Sequence, residues 1–273
     1  MRGAADEAGV LLMSKLRKAP RLSMPDVGAD GWVRLASLGG FLLMWHVAAM
    51  LFDSTTLPAP VVVFRRMLDE MLSGLLPLHL GITLARVAVS FLLAMVVGTA
   101  IGIAMGRWRQ ADLLLDGWLV LGLNIPALVT IILCYVWFGL NDAAAIVAVA
   151  LNKIPTVVVT VREGARAIDR GLMQVAQAYR LPRGLTFTRV YLPQLYPWLF
   201  ASARSGLSLI WKIVLVVELL GRSDGIGFQL NMFFQLFDIT GILAYTLTFA
   251  AVVLIVEAVG LRPLERRLTR WRS

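Results

Sequence analysis

Histidines, cysteines and acids are the side chains that would do covalent or acid–base chemistry, and in this chain they are scattered. His46 and His79 stand far apart without acidic neighbours, so neither a metal cluster nor a Ser-His-Asp arrangement assembles. Cys134 is the only cysteine and sits inside an apolar run. It can form no intramolecular disulfide and reads as a small apolar filler. No Gly-rich loop ending in lysine and a hydroxyl occurs, so the chain does not bind ATP by itself. What remains are charges in apolar surroundings: Arg204, Lys212 and Glu218 in one run, and Lys153 beside Asn152 and ahead of Pro155 in another. The stretch QVAQAYRLPRGLTFTRVYLP, Gln174 to Pro193, adds three arginines without any acid, histidine or cysteine. Such residues bind and dock; they do not catalyse.

The elements that position them are apolar helices. Hydrophobic residues make up 59% of the 273-residue chain and charged residues 16%, with a mean hydropathy of +0.77. That composition excludes an ordinary soluble domain. Apolar runs near 34–52, 82–105, 113–137, 143–161, 195–220 and 240–261 are each long enough to cross about 30 Å of hydrocarbon as helix. The reading is six spans. A transmembrane barrel would show short alternating segments instead of continuous runs such as Phe91 to Gly106. Pro126 and Pro155 lie inside the third and fourth runs, where they remove backbone hydrogen bonds and introduce kinks.

Lysine and arginine concentrate before the first span, between the second and third, between the fourth and fifth, and after the sixth. The opposite loops are poorer in them, so both termini are expected in the cytoplasm. The formal net charge of +9 is then a membrane-face property and not a nucleic-acid footprint. GVLLM is too short for the apolar core of a cleavable signal, so residues 1–33 are expected to remain as a basic cytoplasmic arm. Residues 34–261 are expected to form a six-helix transmembrane domain, and 262–273 a basic cytoplasmic tail.

Within the basic insert, Leu172, Val175, Ala176 and Tyr179 share one helical face. Pro182 breaks the helix and suits the start of a second one over about 183–191, with Phe187, Val190 and Tyr191 on one side. Physics admits two readings: a helix pair resting on lipid headgroups, or a docking element for another protein. Charges inside spans are costly and face a cavity or one another. Arg204 and Glu218, fourteen residues apart, share roughly one face of the fifth span, whereas Lys212 does not. Both a structural charge network and contact with a solute are consistent with that pattern.

The insert resembles the coupling loop of ABC-importer permeases, written EAA, three residues, Gly, nine residues, Ile, any residue, Leu-Pro. Gln174, Val175 and Ala176 stand at EAA, Arg180 at the glycine, and Val190, Leu192 and Pro193 at the closing element. The spacing is kept, while glutamate has become Gln, the first alanine Val and the glycine Arg. That last departure puts the tight, φ-positive turn before Leu181 in doubt. LPAP at Leu57 to Pro60, TLAR at Thr83 to Arg86, NIPAL at Asn124 to Leu128, WFGL at Trp137 to Leu140 and SDGIG at Ser223 to Gly227 are similar to the nitrate/sulfonate/taurine branch, in the same order. Arg204, Trp211 and Glu218 match an Arg, a Trp and a Glu of that family's fifth helix.

The resemblance implies an all-α, type I importer permease of six spans in a bacterial inner membrane, with a cytoplasmic helix-turn-helix over 169–193. It implies a second permease copy, two cytoplasmic ATPases that hold ATP and Mg, and an extracytoplasmic protein that delivers a small, often anionic solute. It implies ATPase coupling through Leu172, Gln174, Val175, Ala176, Tyr179, Arg180, Leu181, Val190, Leu192 and Pro193. Asn152, Lys153, Arg204, Trp211, Lys212 and Glu218 are the candidates for the path or its gate. Two rivals remain: a secondary transporter, disfavoured by the lack of paired broken halves, and a non-transporting scaffold.

Overall fold

The computed structural model describes residues 27–52 and 56–261. Residues 262–273 of the expected tail and 1–26 of the expected arm lie outside the described residues. No strand occurs among the described residues. The helices are α1 (Val27–Phe52), α2 (Pro60–Leu72), α3 (Leu75–Arg107), α4 (Arg109–Asn124), α5 (Ala127–Phe138) and α6 (Asp142–Arg166). They continue as α7 (Arg170–Ala178), α8 (Arg183–Thr186), α9 (Leu192–Gly221), α10 (Ile226–Gln235) and α11 (Ile239–Val256). π-Helical turns occupy Phe187–Tyr191 and Glu257–Leu261. The chain divides into two compact units at Asp53 and Ser54, with α1 in the first and the other helices in the second.

Among the described residues, four helices are long and apolar enough to cross a membrane: α1 from Gly31, α3, α6, and α11 with its following turn. The third expected span is broken. α4 and α5 meet at 101°, a fifth crossing if the pair counts as one. The break has a local cause: Pro126 at the N-cap of α5 pushes Ile125 into extended backbone, φ −72 and ψ 123, and ends α4 at Asn124. Pro155, by contrast, leaves α6 continuous. α9, the expected fifth span, is 30 residues long, but its three charges and polar first half dilute its hydropathy.

α3 and α6 run parallel and pack more closely than any other pair in the second unit. The reason is a stripe of glycines at 98, 102 and 106, opposite Val157, Val161 and Ala165. A Cβ at Gly98 would stand 2.7 Å from the Val157 Cβ, and one at Gly102 2.8 Å from that of Val161. Small residues at four-residue spacing let helix backbones meet where lipid offers no hydrophobic drive. α9 lies against both, so α3, α6 and α9 carry most of the buried residues.

Candidate functional site

At one end of the second unit, Arg86 on α3 gathers three carboxylates. Its Nη1 donates to Glu218 Oε1 at 2.8 Å, and its Nε and Nη2 donate to Asp142 Oδ1 at 2.8 and 2.6 Å. Nη2 also donates to the Asp224 carboxylate, and Nη1 to the Asp224 carbonyl at 3.1 Å. Arg222 borders the same acids, 3.4 Å from Asp142 and 3.7 Å from Asp224. Glu218 is completely buried. Its Oε2 accepts from the Thr83 hydroxyl and from the Gly227 N–H, both at 2.9 Å. The carboxylate is therefore satisfied on every side, as a buried charge must be.

The SDGIG segment is shaped to reach these groups. Gly225 has φ +98, in the left-handed region, and a Cβ there would overlap the Glu218 carboxyl. A Cβ at Gly227 would overlap the Leu215 carbonyl. With both glycines the backbone closes in: Gly225 N–H donates to His79 Nδ1 at 3.0 Å and Ile226 N–H to Thr83 Oγ1 at 2.8 Å. The end of α9, the start of α10, the start of α6 and the middle of α3 are thus tied at one point.

At the opposite end, Arg162 pairs with Asp112 and Asp116, each at 2.7 Å, and Arg166 with Asp112 at 2.5 Å, which joins α6 to α4. The basic insert forms there. Asp169 caps α7 by accepting from Gly171 N–H at 2.7 Å, and its own N–H donates to Gln194 Oε1 at 2.9 Å. Leu172, Val175 and Tyr179 present an exposed apolar face, 49%, 53% and 78% accessible, with Gln174 also exposed. Ala176, expected on that face, is buried on the inner side instead. It stands at the edge of the roughly 100° arc that the four residues share, next to Met173, with which it lines the crevice on the inner side.

Arg180 adopts φ +50. Its N–H donates to the Gln177 carbonyl at 2.9 Å and Leu181 N–H to the Ala176 carbonyl at 3.0 Å, the paired bonds of a Schellman cap. The left-handed turn thus survives without glycine. Pro182 caps α8, and the second helix forms as expected, with Phe187 and Tyr191 stacked at 5.6 Å. It does not stop at Tyr191. The π turn carries it directly into α9, with Leu192 and Pro193 half-buried in the first turn, where proline is tolerated, and Val190 half-buried just before.

The candidate path residues separate into three places. Arg204, Trp211 and Lys212 line one groove of about 520 Å³ between α9 and α11, with Glu257 as its acid. Glu218 belongs to the Arg86 cluster. It does not share the surroundings of Arg204: at its level α10 and the SDGIG segment cover the face that is an open groove about four turns earlier in α9. Lys153 is 2% exposed on the far side of α9, its stem against Gly206, where a Cβ would stand 2.9 Å from Lys153 Cε. Its ammonium has no hydrogen-bond partner among the described residues, and Asn152 beside it is half-buried.

Arg86 and its acids were missed as a unit by sequence reasoning. The signal was available: an arginine inside the second span and a glutamate inside the fifth are the complementary charges that must find each other in a membrane.

Apolar helices of span length, tied by an arginine–carboxylate cluster at one end and by arginine–aspartate pairs at the other, with a buried lysine between, are the build of a membrane protein. The chain belongs to the family of binding-protein-dependent transport system inner membrane components, whose model matches residues 94–269. It is 30% identical to the SsuC protein of Bacillus subtilis, named for aliphatic sulfonates transport, over 89% of each chain. It is 26% identical to the taurine transport system permease TauC of Escherichia coli, over 88% of this chain and 89% of that one. The bicarbonate transport permease CmpB of Synechococcus elongatus is 27% identical, over 82% and 84%. In fold it is similar to the MetNI methionine ABC transporter in an inward-facing state, with a TM-score of 0.59 at 18% identity, covering 68% of this chain and 92% of that one. It is an integral inner-membrane permease of an ABC importer, a transport subunit and not an enzyme, and it works with ATPase and binding-protein partners.

Proposed function

We propose that this permease forms the path for a small anionic solute of the sulfonate, taurine or bicarbonate kind, along the groove between α9 and α11. The observation that carries the reading is Lys212. It is exposed, nine residues and about 14 Å from the C-terminal end of α9. An ammonium facing hydrocarbon at that depth is too costly to persist, so the groove faces water or a second copy of the chain. Among the described residues that line the groove, the exposed Lys212 is a cation that suits an anion. The full assembly in this reading is two permease copies, two ATPases carrying ATP and Mg, and one binding protein outside. Six spans, with α4–α5 as a broken third and α9 as the fifth, leave the 1–33 arm and the 262–273 tail in the cytoplasm. The exposed Leu172, Val175 and Tyr179, with Gln174 and Arg180, meet the ATPase. Ala176, Leu181, Val190, Leu192 and Pro193 support them from behind, and Lys153 and Asn152 pack the helices beside the path.

The test is uptake of a labelled sulfonate by proteoliposomes containing the complete importer. Lys212→Gln is expected to lower uptake about ten-fold, the worth of one charge-assisted bond, with the ATPase still bound and Lys212→Arg restoring most of it. Undiminished uptake in both Lys212→Gln and Arg204→Gln would refute the path.

A further inference from the structure

Beneath α7, on the side away from Leu172, Val175 and Tyr179, lies a crevice with two lobes of about 490 and 370 Å³. Arg107, Met173 and Tyr191 line both lobes, Arg183 and Phe187 one, Arg170 the other. The ion pairs at this end use Arg162 and Arg166. Among the described residues, no carboxylate pairs with Arg107, Arg170 or Arg183. Tyr191 is 5% exposed, yet its hydroxyl has no hydrogen-bond partner among the described residues. Burial pushes its phenol above the ordinary value against a weaker opposing pull from Arg107, so it stays a donor at neutral pH. A buried donor without an acceptor, ringed by three unpaired cations, calls for an anion.

The walls between those cations are apolar, and each lobe exceeds the volume of a bare phosphate. The ligand that suits both facts is amphiphilic. Trp108, exposed at the end of α3, adds the type of side chain that settles at headgroup depth. We propose that this crevice holds the phosphate headgroup of an acidic phospholipid. Arg107, Arg170 and Arg183 surround the charge, the Tyr191 hydroxyl donates to a phosphate oxygen, and the glycerol and first methylenes lie on Met173 and Phe187. The coupling element then sits on a lipid, and its stiffness depends on membrane composition. The inference rests on the reading above only in placing this end of the helices at a membrane surface.

The experiment uses the purified full chain in nanodiscs of phosphatidylcholine with or without phosphatidylglycerol, with retained lipid read by native mass spectrometry. Phosphatidylglycerol should be retained over phosphatidylcholine. Tyr191→Phe and Arg107→Gln should each lower that retention about five-fold, and Arg109→Gln, outside the crevice, should not. Equal retention of the two lipids, or wild-type retention in both variants, overturns the proposal. Complete displacement of phosphatidylglycerol by millimolar inorganic phosphate also overturns it, by assigning the site to a free oxyanion. Arg107 is exposed, so its variant reports binding even if Tyr191→Phe disturbs packing. Neither ATPase nor uptake enters the measurement, so failure of the transport reading leaves this result intact, and the converse holds.

Discussion

Replacing Arg86 should cost far more than replacing its most buried partner, and the asymmetry can be worked from the cluster. Arg86→Gln leaves Glu218 with no cation within bonding distance while it stays completely buried. Breaking such a pair from the cation side costs about 3–5 kcal/mol. Glu218→Gln leaves Arg86 with Asp142 and Asp224, and the amide oxygen still accepts from Thr83 or Gly227. Its cost should stay near 1–2 kcal/mol. The double variant Arg86→Gln/Glu218→Gln removes the stranded charge and should be more stable than Arg86→Gln alone. The assay is unfolding in mixed micelles against SDS, with Arg66→Gln and Glu70→Gln as a cycle on an i,i+4 pair whose arginine is 42% exposed. That pair should couple by no more than about 0.5 kcal/mol. Additive losses in the Arg86–Glu218 cycle, or a double variant weaker than Arg86→Gln, would refute the account of a buried carboxylate held by one guanidinium.

The glycine stripe offers a second contrast: Gly102→Ala should destabilise by about 1–3 kcal/mol because Val161 and the Val158 carbonyl occupy the Cβ position. Gly81→Ala, with nothing within 4 Å of its Cβ, should be neutral or stabilising by up to about 1 kcal/mol in the same unfolding assay. Arg180→Gly should stabilise the Schellman turn by about 1 kcal/mol, read as slower amide exchange at Leu181; faster exchange would show that the arginine side chain holds the turn. Asp169→Ala should cost about 1 kcal/mol and raise protease cleavage within α7, since its carboxylate caps that helix.

Much of the helical layout was legible because apolar runs of span length have few alternatives. Their edges were not: α3 starts at Leu75 and α1 at Val27, well before the expected 82 and 34, because hydropathy marks the apolar middle of a helix and not its hydrogen-bonded ends. Kinks were expected at both Pro126 and Pro155, and the two differ because a proline's effect depends on context: Pro126 ends a helix with a 101° bend, while Pro155 sits inside a continuous one. The short helices α2 and α10 carry no span-length run and left no comparable mark. At the insert, the change from glycine to Arg180 put the left-handed turn in doubt, yet the turn is there, since Arg180 can hold the dihedral that glycine usually provides. The Arg86 cluster was hidden for a different reason: its members are separated by up to 138 residues, and only the folded backbone brings them together.

The absence of a stop at Tyr191 has a mechanical consequence. From Arg183 to Gly221 the chain is one uninterrupted helical rod, about 58 Å long, more than the thickness of a bilayer with its headgroups. A rod has no slack. A push on its Arg183 end arrives at Glu218 as the same displacement unless the π turn or the turn before Pro197 yields, so that first stretch is the compliance of the lever, and stiffening or softening it sets how far one face of the membrane feels the other.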